Sequence, residues 1–194
     1  MQRLSFAFAR FVLMLLVAGC ANTQLQEPNI MKKHNLPTAE PASASVTEAK
    51  SKIPPKSCPV TLGDQHIFQA PQPYSPTAPW NGFFWTGSEG LWTALPNDGI
   101  WAGLPHGAEG YSQKIFWWST QFHLRDELQP ALVVSGQRLD SDAPLIHFYG
   151  ATNASAGDIG DAMLTGVDIP TGGCWEISGE YKKTELKFVI WVVE

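Results

Sequence analysis

The chain has no cluster of lysine and arginine, no histidine pair at metal-ligand spacing and no glycine-rich phosphate loop after a strand. It also has no internal repeat and, beyond Lys56, no helical periodicity. Each absence removes a class of function. Without a basic patch, and with a formal net charge of −5, nucleic-acid binding is set aside. Without a pair such as H-x-x-x-H, His66, His106, His123 and His147 stand scattered, and only a site assembled in three dimensions would use them for a metal. Nucleotide binding has no support, and no cofactor is implied. Cysteine is scarce at three residues, so each one carries weight.

The first of them closes a distinctive start, MQRLSFAFARFVLMLLVAGC. Arg3 and Arg10 make a basic opening, Phe11 to Val17 an apolar run, and Ala18 and Gly19 are small. This is the pattern of a secretory signal, too short and wrongly flanked for a stable membrane span. Val17-Ala18-Gly19-Cys20 resembles the bacterial lipobox. That resemblance implies cleavage after residue 19 and acylation of Cys20, and two or three acyl chains suffice for stable anchoring. Ala21 stands where an aspartate would resemble an inner-membrane retention signal, so attachment to the outer membrane, facing the periplasm, is expected. Loss of residues 1–19 removes two arginines and leaves 11 basic against 18 acidic side chains, a formal charge of 11 − 18 = −7.

Residues 20–56 hold no aromatic side chain and are rich in Ala, Ser, Thr, Pro, Glu and Lys. Such a segment buries too little apolar surface to offset its ordering entropy, and reads as a disordered tether with a reach of roughly 30–35 Å. Residues 57–194 read as one globular domain, because all eight tryptophans lie there and its length suits a single core.

The domain's pattern is all-β. In LKFVIWVV, Leu186, Phe188, Ile190 and Val192 share one face. Strands are also predicted at 114–122, 131–139, 144–150 and 162–170. LWTAL-PNDG-IWAGL at 91–104 reads as a hairpin turned by Pro96-Asn97-Asp98-Gly99. Short strands separated by turn signals predict a single antiparallel β-sandwich, with a small β-barrel as the alternative.

With Cys20 acylated, Cys58 and Cys174 remain, and two cysteines in an exported chain pair in an oxidising compartment. In CWEISGEY, Trp175, Ile177 and Tyr181 fall on one face, with Cys174, Glu176, Ser178 and Glu180 on the other. A Cys58–Cys174 disulfide would therefore pin the start of the domain across the outside of the penultimate strand. A catalytic Cys174 would need an activating base, whereas the nearby Glu176 carboxylate raises a thiol's pKa. A free buried thiol is the other alternative.

Other chemistry is sparse. Gly87-Ser88-Glu89-Gly90 falls short of a nucleophile elbow, because Thr86 stands where a glycine is needed. ATNASAGDIGD at 151–161 reads as a solvated loop whose Asp158 and Asp161, with Asp168, could hold calcium, although the spacing is not that of an EF-hand. Tryptophan is the one excess, and large rings filling a small core account for it. Yet Trp117 and Trp118 are neighbours on a strand and point to opposite faces. One of them is either covered by another segment or exposed as a platform for a sugar ring or a partner.

Four blocks in order carry a resemblance: Gly87, Leu91, Trp92, Pro96, Asp98 and Gly99; then Lys114, Trp117 and Trp118. The third is Gly136, Arg138, Leu139 and Asp140, and the fourth Gly173 to Glu176 with Gly179. Together they resemble a family of uncharacterised bacterial secreted proteins and lipoproteins. The resemblance implies a single domain, immunoglobulin-like in its last strands, and supplies no activity. The expected function is a non-catalytic envelope lipoprotein, held to the membrane by its lipid, whose β-sandwich binds or supports another envelope component. The alternative is a carbohydrate- or peptidoglycan-binding module using surface tryptophan, and third an enzyme whose site forms only in three dimensions.

Overall fold

The computed structural model describes residues 52–65 and 68–194. Cys20, His66, the signal segment and most of the tether lie outside the described residues. Ten strands follow in chain order, with no helix among the described residues. They are β1 (Phe83–Ser88), β2 (Leu91–Pro96), β3 (Ile100–Trp101), β4 (His106–Gly107), β5 (Gly110–Trp118), β6 (Val133–Arg138), β7 (His147–Ala156), β8 (Gly160–Ile169), β9 (Gly173–Tyr181) and β10 (Thr184–Val192).

They form two sheets, and the domain is a β-sandwich. The larger sheet runs β1-β2-β5-β8-β7, with β4 also on β5; the smaller runs β3-β10-β9-β6. All pairings are antiparallel except β3 with β10, which is parallel. The sheets are therefore not purely antiparallel as expected. The core between them takes the apolar face of each strand: Leu91 and Leu95 from β2, Ile115 and Trp117 from β5, Met163 and Val167 from β8. The smaller sheet supplies Trp175, Ile177 and Tyr181 from β9, and Leu186, Phe188, Ile190 and Val192 from β10. The alternation read from these last two strands holds residue for residue.

Trp117 spans the gap between the sheets. Its Nε1 donates to Thr165 Oγ1 at 3.1 Å, and that hydroxyl in turn donates to the Ile115 carbonyl at 3.3 Å. Its ring lies so close to Gly179 on β9 that a methyl group there would collide with it.

The PNDG segment does turn the chain, but into the other sheet. The Gly99 amide donates to the Pro96 carbonyl at 2.9 Å, Gly99 takes φ 66°, and Asp98 Oδ1 accepts from the Ile100 amide at 3.1 Å. The chain then meets the free edge of β10, where the Trp191 and Val193 amides donate to Gly99 and Trp101. An unpaired edge captures the segment, so β2 and β3 make no hairpin. β2 makes its hairpin with β1, a strand not anticipated, through the turn at Glu89-Gly90. Likewise 151–161 is no loop. β7 continues through Ala156, Gly157 to Ile159 make the turn, and Ala156 pairs with Gly160 of β8.

The outer faces are partly covered. Cys58 is disulfide-bonded to Cys174 on β9, as the count and compartment suggested. From there the chain reaches the free edge of β10, where the Thr61 amide donates to the Val189 carbonyl at 2.8 Å and the Val189 amide to Thr61 Oγ1 at 2.9 Å. Residues 58–61 thus strap the smaller sheet from outside. An antibody-type domain carries its disulfide through the core instead, so the narrower immunoglobulin-like assignment does not follow from this pairing. On the larger sheet, Phe68 to Trp80 lie over Trp85, Trp92, Phe116 and Trp118 and form a second apolar cluster.

That cluster corrects the platform expected at Trp117 or Trp118, since both are 0 % exposed. Trp118 does point outward, but Trp80 packs on it at 6.2 Å and Trp85 at 4.7 Å, and its Nε1 donates to the Ile159 carbonyl at 2.9 Å. Trp92, beside it, has a buried Nε1 with no hydrogen-bond partner among the described residues; its ring meets Tyr74 edge-on at 5.2 Å.

Truncating either ring should therefore be costly. Trp117→Ala and Trp118→Ala are each expected to lose about 3–5 kcal/mol in urea unfolding followed by fluorescence. Gly179→Ala should lose about 1–3 kcal/mol by overpacking. Equal stability of Trp118→Ala and wild type would mean that residues 68–80 do not cover the ring in solution. Reduction of the disulfide should lower stability by about 2–5 kcal/mol, and non-reducing peptide mapping should join Cys58 to Cys174.

Candidate functional site

The four sequence blocks meet in pairs. The first and second lie side by side where Trp92 pairs with Trp118 and Thr93 with Trp117. The third and fourth lie side by side where Arg138 pairs with Trp175. The Arg138 guanidinium sits over Gly173, bonds Asp140 at 2.7 Å through Nε and donates to Thr171 Oγ1 at 2.8 Å through Nη1. Burial pushes the Asp140 carboxyl up, but Arg138 and the backbone amides outweigh it and hold it below the usual range. Gln137 Nε2 donates to Glu176 at 3.1 Å, so that carboxylate serves strand pairing. Most of the block residues therefore build the scaffold, and with both cysteines in a disulfide no thiol chemistry is available at Cys174.

Concave regions among the described residues include a smaller one at Leu62 to Asp64 and Asn97, whose only titratable side chain is Asp64, and two larger ones. The first, about 800 Å³, lies at one end of the sandwich between residues 72–76, the 119–123 turn and the β7–β8 turn. It gathers Ser119, His123, Asp158 and Asp161, the residue types that an acid–base or nucleophilic site would use. Their hydrogen bonds point elsewhere. Ser119 Oγ accepts from the Gln121 amide at 3.1 Å and holds a turn. Asp161 accepts from Ser155 Oγ at 3.1 Å and the Leu124 amide at 3.4 Å, and Tyr74 donates to its carbonyl at 3.0 Å. No hydrogen bond among the described residues joins the His123 ring to a hydroxyl or carboxylate, whereas a nucleophile and its base must be within such reach. Asp168 lies at the far end of β8 from Asp161, so the three aspartates considered for calcium are not brought together. No group of three or more metal-ligating side chains occurs among the described residues.

The second region, about 480 Å³, is an open groove on the outer face of the larger sheet, at the opposite end from the Trp118 cluster. Its floor is Ser112 to Lys114 of β5 and Gly166 to Asp168 of β8; Pro105 stands on one rim and Tyr149 on the other. The Tyr149 hydroxyl donates to Asp168 Oδ2, and Ser112 Oγ donates to Asp168 Oδ1 at 2.6 Å. His147 packs edge-on to the Tyr149 ring at 4.4 Å. Asp168 is itself buried, and its hydrogen bonds from Ser112 and then Tyr149 hold its carboxyl below the usual range. In return the carboxylate raises the Tyr149 hydroxyl above its ordinary pKa. His106, on β4 at the opposite side of this part of the sheet, packs edge-on against Tyr111 at 4.6 Å.

Sequence reading missed this groove because it places a strand end at Gly150. The pattern His147-x-Tyr149 on one face, followed by a glycine, is the one local signal for it. Comparison of the chain with protein-family models, with curated proteins and with solved structures yields no match.

The groove should respond to acid. A depressed Asp168 pKa means that its hold on Tyr149 is present above the ordinary carboxylate range, near 3.8, and is lost as pH falls through the folded-state value. The Asp168-dependent part of the Tyr149 ring resonances should change only below that range. In Asp168→Asn they should differ from wild type at neutral pH.

Proposed function

We propose that the protein is a non-catalytic lipoprotein of a bacterial cell envelope, anchored through acyl chains on Cys20 to the periplasmic face of the outer membrane. Its β-sandwich binds or supports another envelope component. The observation that carries the reading is how the reactive residue types are used. Cys58, Cys174, Ser119 and Asp161 are all engaged in holding turns and strands, while the outer sheet face presents an ordered, uncovered aromatic at Tyr149. The disulfide suits an oxidising compartment, and the basic-apolar-small start ending at Cys20 suits export and lipidation. The four blocks support placing the chain with the bacterial secreted proteins and lipoproteins that they resemble.

Metabolic labelling with a fatty-acid analogue should mark the wild-type chain and not Cys20→Ser, and the variant should leave the membrane fraction or keep its signal uncleaved. Equal labelling of both rules out the anchor. Photo-crosslinkers placed on the outer face of the larger sheet should trap an envelope component in cells. Absence of any crosslink from several positions there argues against the binding role.

A second reading, recognition of a carbohydrate, is favoured by Tyr149, an exposed aromatic that Asp168 holds in place. Surface tryptophan does not carry it, since Trp117 and Trp118 are covered.

A further inference from the structure

We propose that the groove at Tyr149 holds an N-acetylhexosamine ring of an envelope glycan; this deepens the envelope-binding reading and rests on it.

The site begins with a defect in β7. The pairing with β8 slips between Phe148 and Ala151, and Gly150 takes φ 88° within the slip, a backbone region that side chains disfavour. The extra residue changes which face the chain beyond it takes, so that Ala151 returns to the core. Here Phe148 packs against the core while Tyr149 turns to the outer face and lies over Gly166, where even an added methyl carbon would be 3.6 Å from the ring. A residue with a larger side chain at 166 would lift the ring off the sheet.

The ring is then held. Asp168 is a buried carboxylate on the outer face, and its bonds from Tyr149 and Ser112 fix the ring's direction. His147 closes one side of it. Burying a carboxylate is unfavourable unless its partners compensate, and here one partner is a tyrosine that is 61 % exposed. The free ring face is thus preorganised and lacks a cover among the described residues. The contrast lies on the same sheet face, where residues 68–80 cover the other half and pack Trp80 on Phe116 and Trp118.

The chemistry selects the ligand. Pro105, just before β4, and Tyr149 on β7 lie about three strand spacings apart, about 14 Å before side chains narrow the gap. The groove's 480 Å³ lies within the size range that small ligands occupy. An aromatic face is electron-rich and apolar, and suits the C–H face of a pyranose. Ser112 and Asp168 offer acceptor lone pairs to hydroxyl and acetamide N–H groups, and Lys114 offers a donor to a carbonyl or hydroxyl oxygen. Pro105 offers an apolar contact for an acetamide methyl. Asp168 below and Glu109 near the Tyr149 hydroxyl outnumber Lys114 and weigh against phosphate or carboxylate ligands. A neutral, acetamide-bearing sugar satisfies all of these groups together.

The test uses the full-length chain in a detergent that carries no sugar, with an oligomer of β-1,4-linked N-acetylglucosamine and purified peptidoglycan sacculi as probes. An oligomer of β-1,4-linked glucose is the comparator. Wild type should bind the N-acetylated oligomer and sediment with sacculi. Tyr149→Ala should weaken both by about tenfold, with tryptophan emission and the disulfide unchanged. Tyr149→Phe, which keeps the ring and loses its bond to Asp168, should fall between the two. Failure of wild type to bind either probe overturns the proposal, as does undiminished binding by a folded Tyr149→Ala. Equal affinity for the glucose oligomer overturns the N-acetylhexosamine assignment. Envelope crosslinks that persist while sacculus binding is absent would sink this site alone. Loss of Cys20 labelling with sacculus binding intact would sink the anchor alone.

Discussion

The contact of the Trp117 indole with Gly179 sets the geometry of the domain. A fully buried tryptophan from the larger sheet meets a position on the smaller sheet that has no side chain, so the two backbones can share one layer of rings. The indole N–H is satisfied within its own sheet by Thr165, whose hydroxyl passes on to the Ile115 carbonyl. Nothing polar has to cross the gap at this point. Phe188 leans on the same ring at 5.9 Å, and Trp101 leans on Phe188 at 6.2 Å, which carries the packing out to the parallel β3–β10 edge. The placement of β3 thus depends on the same layer that Trp117 establishes.

Both sheets also use chain that precedes β1 to finish their outer faces. Residues 58–61 strap the smaller sheet through one covalent bond and the Thr61–Val189 pair, and residues 68–80 cover half of the larger one. A core of this size lies between two sheets whose outer faces would otherwise expose Trp85, Trp92 and Trp118. Covering them moves these rings from an aggregation hazard to a second apolar cluster. The uncovered half of the larger sheet carries polar groups and a single held tyrosine, which is consistent with a surface meant to meet solvent or a ligand.

What could be read from the residues alone follows from period and chemistry. The alternation in β9 and β10 is visible because one face is entirely apolar, and the pairing of Cys58 with Cys174 was expected from their number and from the oxidising compartment that the N-terminal pattern predicts. Turn chemistry located the bend at Pro96 to Gly99, but residue types say only where a chain turns and not which free edge awaits it. β1 went unread because Gly87 interrupts a short aromatic run, and the second half of β7 because Ala151 to Ala156 are weak strand formers. Trp117 and Trp118 were expected on opposite faces without a signal for which is outward, and the cover of the outward Trp118 comes from a proline-rich segment with no periodic signal. The Tyr149 groove depends on a slip in strand pairing and on Gly166, two strand positions whose meeting no local pattern announces.

The disulfide also determines how force enters the domain. Tension along the chain before Cys58 passes through sulfur into β9, an interior strand with β10 and β6 on its flanks, and bypasses the 115 residues between the two cysteines (174 − 58 − 1). Pulling from that end cannot peel β1 from the sheet edge. It must instead shear β9 against both neighbours at once, which loads many hydrogen bonds in parallel and not one after another. A domain held at one end and attached at the other would resist extension as a single unit.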